Sequence, residues 1–298
     1  MNPLQERRAR VTVNVVRPGA EGERALTYAF EQHRMVIQVG QGGNQFGNAK
    51  VQIFGVPLDA MNKIARLWLE VLSPSNTDTL TIDVWDGANF VPFFNGVITW
   101  SAINASGAPQ IALEIEANSA MVAMNTVAPP YAQDTPIALQ DALQQILGPT
   151  DLVVEFAESV PALQIQKAHL IGSPMDQAAT LMNYFPELTW YINLQRFLVR
   201  PVNGPLGGDP VRINRTTGMI GYPTYSTSGV TLATIFDARI RPGLALDIQT
   251  DFDFVNRTKW VAAVLQHTLE PNKPGGNWIT QIAAQSYGSK GDTSGSQS

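Results

Sequence analysis

The chain has 298 residues, 44% apolar and 15% charged, with a net charge of −5 and no cysteine. That length accommodates two or three compact units, and the lack of cysteine excludes a disulfide framework and thiolate metal sites. A charged fraction well below the usual quarter fits either a surface built for protein contacts or one rich in Ser, Thr, Asn and Gln.

The N-terminus, Met1 to Arg10, leads into an alternating pattern with no apolar signal core, so no secretory leader is expected. The first third reads as strands. Apolar residues recur at every second position in Val11-Thr-Val-Asn-Val15, the period of a half-buried strand. Met35-Val-Ile-Gln-Val39 and Val51-Gln-Ile-Phe54 follow, joined by the turn-rich Gly40 to Asn48. Pro57 suits a first helical turn, and Leu58, Met61, Ala65 and Trp68 fall near helical spacing. Thr79 to Trp85 alternates again, Asp86-Gly87 signals a hairpin, and Asn89 to Trp100 returns, with a break expected at Asn95-Gly96. After a turn at Asn104-Ala-Ser-Gly107, Ile111 to Ala117 predicts a strand with Glu114 and Glu116 on a wet face.

Composition changes near Val127-Ala-Pro-Pro130. Thr135-Pro136 is expected to cap a helix whose stripe is Leu139, Ala142, Leu143, Ile146 and Leu147, stopped by Gly148-Pro149. Leu152 to Phe156 and Leu163 to Leu170 read as strands. Ser173 and Asp176 form a capping box for a second helix ended by Pro186. Thr189 to Asn193 and Phe197 to Arg200 form a hairpin, which completes a small α/β unit. Beyond the turn cluster Asn203 to Gly208, strands are expected at Val230 to Ile235, Leu244 to Gln249, Trp260 to His267 and Trp278 to Ala283. Ser286 to Ser298 has almost nothing to bury and is expected to be disordered. No run reaches the roughly 18 apolar residues of a membrane-spanning helix.

Charge is partitioned along the chain. Residues 1–66 carry a net +4, residues 67–166 a net −11 without one Lys or Arg, and residues 167–298 a net +2. The middle stretch cannot grip phosphate. It faces a basic protein partner, or lines a surface that must not hold DNA, or is simply an acidic domain. The cluster Arg7, Arg8, Arg10 reads either as a nucleic-acid contact or, the favoured expectation, as an N-terminal arm docking on an acidic neighbour, for which the acidic middle of an identical subunit would serve.

Catalytic chemistry finds no foothold. His33, His169 and His267 lack metal-ligand spacing. Gly40-Gln-Gly-Gly-Asn-Gln45 begins like a dinucleotide fingerprint but leads to a strand, so no helix N-terminus receives phosphate. Glu114 and Glu116 read as a solvated strand face rather than a glycosidase pair. Asp247, Asp251 and Asp253 lack the spacing of a cation loop. No catalytic, cofactor-binding or metal-ligating residue is assigned, and no cofactor is expected.

One ordered set of motifs is specific. The last third contains Thr217-Gly-Met-Ile-Gly-Tyr-Pro-Thr224, Gly229-Val-Thr-Leu232, Arg239-Ile-Arg-Pro-Gly243, Trp260 to His267 and Pro274-Gly-Gly-Asn-Trp278. In this order it resembles the C-terminal part of baseplate hub proteins of contractile-tailed bacteriophages, the late control protein D-like family. Gly172 to Gln177 with Leu188 to Ile192 resembles that family's middle helix and hairpin, and Val51 to Met61 with Phe94 to Ile98 its N-terminal barrel.

The resemblance implies a β-rich α+β fold: two tail-tube-like antiparallel β-barrel domains with a small α/β unit between them. Residues 1–126 would form the first barrel domain with one short helix, 127–203 the α/β unit, 204–285 the second barrel domain and 286–298 a disordered tail. It also implies a non-enzymatic homotrimer whose ring adapts a hexameric tail tube above to a trimeric central spike below, touching other baseplate proteins, with DNA only in transit and no membrane insertion. Against that family the sequence reads as short, with no fused lysozyme-like or spike domain expected, so the spike is expected on a separate protein. The expected location is the virion tail baseplate, assembled in the host cytoplasm, with part of the acidic stretch lining the lumen. A tail-tube or tail-terminator subunit is the alternative reading, and a peptidoglycan-acting tail enzyme the third.

Overall fold

The computed structural model describes residues 7–19, 22–43, 46–66, 78–227 and 229–289. The N-terminal part contains β1 (Ala9–Gly19), β2 (Gly22–Phe30), β3 (Met35–Gly42), β4 (Asn48–Phe54), β5 (Thr79–Trp85), β6 (Phe90–Asn104) and β7 (Ala112–Asn118), with a helix at Leu58–Ile64. Alternation drives these strands: in β3 Met35, Ile37 and Val39 are buried while Val36, Gln38 and Gly40 are not. Asp86-Gly87 makes the β5–β6 turn, where the Asp86 carboxylate accepts from the amides of Ala88 and Asn89, each at 2.8 Å.

Gly96 does not break the return segment. β6 runs unbroken through it, because a Cβ there would lie 2.8 Å from the Asn118 backbone and glycine lets the strands approach. β2 had no counterpart among the expected strands. The expected helical position of Trp68 lies outside the described residues, and Ala65 caps the helix rather than joining it.

The middle part holds β8 (Tyr131–Gln133), β9 (Ile137–Ala138), β10 (Val153–Phe156), β11 (Gln164–Ile165), β12 (Ala168–Leu170), β13 (Leu188–Asn193) and β14 (Arg196–Pro201). The helix at Leu139–Leu147 buries all five residues of the expected stripe. Thr135 does not cap it, since β9 intervenes and Ala138 is the N-cap. The helix at Pro174–Met182 has the full capping box of Ser173 and Asp176.

The C-terminal part holds β15 (Val211–Ile213), β16 (Met219–Ser226), β17 (Gly229–Ile235), β18 (Ala245–Ile248), β19 (Thr258–Leu269) and β20 (Trp278–Ser289), with a one-turn helix at Asp253–Arg257. β20 carries the ladder to Ser289, paired with Thr258, so residues 286–289 are strand rather than tail. The rest of the expected tail lies outside the described residues.

The chain is β-rich, and its long strands form one 13-stranded sheet ordered β16-β17-β20-β19-β3-β4-β7-β6-β5-β1-β2, with β15 and β18 attached through β19. Instead of two separate closed barrels there are two sheet halves joined by the β19–β3 pairing. Among the described residues no ladder closes either half, and β16 and β2 remain as edges. The physical reason is the length of β19: its 12 residues hold β20 on one side and β3 on the other. Each half wraps its own apolar core, and a third core fills the α/β unit. Phe236, Leu269 and Trp278 cross over to pack in the N-terminal core.

Candidate assembly surfaces

Among the described residues the fold engages separately the carboxylates that could have suggested catalysis. Among the described residues no three His, Asp or Glu side chains converge on a common point. Glu116 pairs with Lys50 at 2.9 Å, while Glu114 is buried and accepts from Gln52 and Asn104, so the two carboxylates serve different neighbours. Asp247, Asp251 and Asp253 are separated by their partners Arg212, Arg215 and Arg257.

His267 lies at the seam of the two halves, opposite Val39 of β3 and Thr280 of β20. It is fully buried between the rings of Phe93 and Phe236, edge-on at 4.9 and 5.5 Å. Burial pushes its pKa down to about 3. Its Nδ1 lies 2.9 Å from the Thr280 hydroxyl and its Nε2 has no partner. A neutral ring donating from Nδ1 leaves only a lone pair unpaired, which costs less than a buried unpaired N–H.

The N-terminal arginines are spent inside the chain. Arg8 and Arg10 pair with Glu31, whose carboxyl is held below its usual range chiefly by the hydrogen bond from Arg8. Arg7 donates to the Gly276 carbonyl at 2.9 Å. These residues therefore do not form the free arm expected to reach a neighbouring subunit. The acidic stretch is likewise partly neutralised by ion pairs. Asp78 is buried against Arg17 at 2.8 Å and Arg66 at 3.3 Å, Glu116 meets Lys50, and Glu155 meets Arg196 at 3.0 Å. Burial pushes the pKa of Asp83 up.

The strongest unpartnered feature is aromatic. Tyr222 and Tyr225 on β16 are 53% and 55% exposed, and Phe252 and Phe254 beside them are 38% and 61% exposed. Their rings form one patch: Tyr222–Phe252 at 5.6 Å, Tyr225–Phe252 at 6.3 Å and Tyr225–Phe254 at 6.1 Å between centroids. The patch is held in place. Phe254 rests edge-on against buried Trp260, whose indole N–H donates to the Val255 carbonyl at 2.9 Å. Asn256 clamps Thr250 by two hydrogen bonds of 2.7 and 2.8 Å. Arg215 sits over the Tyr222 ring and pairs with Asp251.

β16 itself is interrupted by a bulge between Ile220 and Thr224, and the bulge contains Pro223. A bulged, proline-bearing edge resists pairing with another strand, so the surface offers side chains rather than backbone. Clustered exposed rings on a rigid support are the usual anchors of protein interfaces. Sequence reading singled out Thr217 to Thr224 as a motif but not the patch, because Phe252 and Phe254 reach it only through the fold.

Comparison with known proteins places this architecture. No family model and no curated protein matches the chain by sequence. Solved structures do match. The E. coli c3393 protein, a type VI secretion system component described as structurally similar to the T4 bacteriophage tail proteins gp27 and gp5, superposes with a TM-score of 0.59 at 12% identity, covering 85% of this chain and 73% of that one. A tail protein from Neisseria meningitidis MC58 gives 0.59 at 12% identity, over 93% and 96% of the two chains. The 43 kDa tail protein of prophage MuSo2 from Shewanella oneidensis gives 0.59 at 7% identity, over 93% and 97%. The fold is one shared with these tail and type VI secretion proteins. At such identities the likeness is one of fold.

Proposed function

We propose that this chain is a structural subunit of a contractile phage tail and acts as its baseplate hub. Three copies form a ring in which two sheet halves per chain present six similar positions to the tail tube above and three to the spike below. The observation that carries this reading is the extent of the fold match, 93% of this chain against 96% and 97% of two tail proteins, which is a whole-chain likeness rather than a shared module. The preorganised aromatic patch supports it, since a hub works by contact. The role is non-enzymatic and located in the virion tail. Among the described residues no helix is long and apolar enough to cross a membrane. DNA passes only in transit, and the exposed acids of residues 67–166 belong partly to the channel wall, where the absence of basic side chains keeps phosphate from sticking.

Mass photometry of the purified chain, followed by electron microscopy of the assembled tail tip, tests the proposal. A trimeric ring between tube and spike is expected. A hexamer stacked along the tube would make the chain a tube subunit instead, and a lumen lined mainly by Lys and Arg would overturn the acidic wall.

A further inference from the structure

The α/β unit and the C-terminal half meet around a surface hollow of about 220 Å³. The contact beneath it is firm: the buried Tyr191 hydroxyl donates to the Pro242 carbonyl, and Gly243 approaches so closely that a Cβ would lie 3.0 Å from that hydroxyl. The hollow has an apolar floor that includes Leu198 and Leu244, and its charged lining consists of Arg196, Arg239, Arg241 and Glu155. Glu155 pairs with Arg196 and Asp237 with Arg239. Arg241 is exposed and makes no ion pair among the described residues. A chain of net charge −5 thus concentrates three guanidiniums around one concave site.

The same α/β unit carries the complement at its other end. Gln140 donates to the Val154 carbonyl and Gln144 to that of Leu152, so the Leu139–Leu147 helix and β10 run in opposite directions. Glu158, just past the end of β10, therefore falls at the helix N-terminal end with Asp134 and Asp141. All three are exposed and make no ion pair among the described residues. Arg196 lies opposite Val153, where β10 begins, which puts the hollow at the far end of the unit. The acidic stretch of the sequence thus has exposed charge left over after folding, and the Arg7, Arg8, Arg10 cluster is already engaged elsewhere.

We infer that the hollow receives a second copy of this chain, docking by the acidic end of its α/β unit in a head-to-tail contact. This inference rests on the ring reading above and names the surfaces that would build the ring. A heterologous contact between opposite ends of one unit leaves each copy one hollow to fill and one acidic end to offer, and it closes when the rotation does. The opposite charges favour encounter and set the register, and the apolar floor provides the surface removed from water.

The test is charge reversal in the intact chain, read by sedimentation and mass photometry. Arg196→Glu with Arg241→Glu, and separately Asp141→Lys with Glu158→Lys, are expected to weaken self-association at least tenfold. All four changes in one chain are expected to restore it, and added salt is expected to weaken the wild-type assembly. Thermal unfolding of each variant verifies that the exposed substitutions leave the fold intact. If the folded reversal variants assemble like the wild type, or the fourfold variant stays apart, the surfaces are wrong while the ring reading stands. A wild-type chain that never self-associates overturns both.

Discussion

The two halves of the sheet treat their aromatic rings differently. In the N-terminal half the half-buried rings lie under cations of the same chain: Arg8 over Trp85 and Phe90, Arg10 over Phe90 at 4.1 Å, and Arg34 over Phe54 at 4.7 Å. That half also buries an ion cluster, with Arg17 and Arg66 on Asp78. Arg17 additionally donates to the Lys63 and Ile64 carbonyls at the end of the first helix. The C-terminal half leaves four rings in solvent and covers only Tyr222 with Arg215. A region that satisfies itself reads as scaffold, whereas a region with rigid rings left uncovered is prepared for a partner.

The largest break in this comparison should come from the scaffold side. Asp78→Ala strands two nearly buried guanidiniums and is expected to cost about 3–5 kcal/mol in unfolding free energy, measured by denaturant titration. The seam gives the next effect. His267 is neutral when folded with a pKa of about 3, so between there and its ordinary value near 6.5 the unfolded chain binds a proton that the folded chain refuses. Stability is then present in full above that window and falls as pH drops through it, by a few kcal/mol at most. His267→Leu should flatten the slope, and an unchanged acid profile would show that the ring is not the buried titrating group.

The patch should behave in the opposite way to Asp78. Phe254→Ser with Tyr225→Ser is expected to leave unfolding within about 1 kcal/mol of wild type while lowering assembly by roughly 2 kcal/mol, or more than tenfold. A large loss of fold stability with assembly unaffected would reverse the reading of the two halves. Arg10→Ala, which removes the nearer of the two guanidiniums over Phe90, should cost only about 0.5–1 kcal/mol. The exposed Lys50–Glu116 pair is the smallest term: replacing both residues by Ala should change stability by less than about 0.5 kcal/mol, checked in a double-mutant cycle.

Much of the architecture was legible before any coordinates. The alternation in Val11 to Val15, Thr79 to Trp85 and Val230 to Ile235 announces strands because side chains on a pleat alternate between faces, and the Ser173–Asp176 box announces a helix start because both partners are local. The order of the C-terminal motifs points to the fold shared with phage tail proteins. β2 went unnoticed, although Leu26, Tyr28 and Phe30 alternate in it, since a strand paired on one side only carries a short and weak pattern. The expected break at Gly96 failed because glycine there serves close approach rather than a turn.

What the linear chain determined was local: which residues face inward, where turns fall, and that a β-rich fold with a small α/β unit would result. Only the tertiary structure decided which strand lies beside which. Any two alternating strands can satisfy each other's backbone, so the β19–β3 seam, joining residues more than two hundred apart, follows from burial over the whole molecule. The same long-range burial neutralised His267, spread the acidic stretch among basic partners, and gathered Tyr222, Tyr225, Phe252 and Phe254 into one surface, because ionisation and exposure depend on neighbours in space and not in sequence.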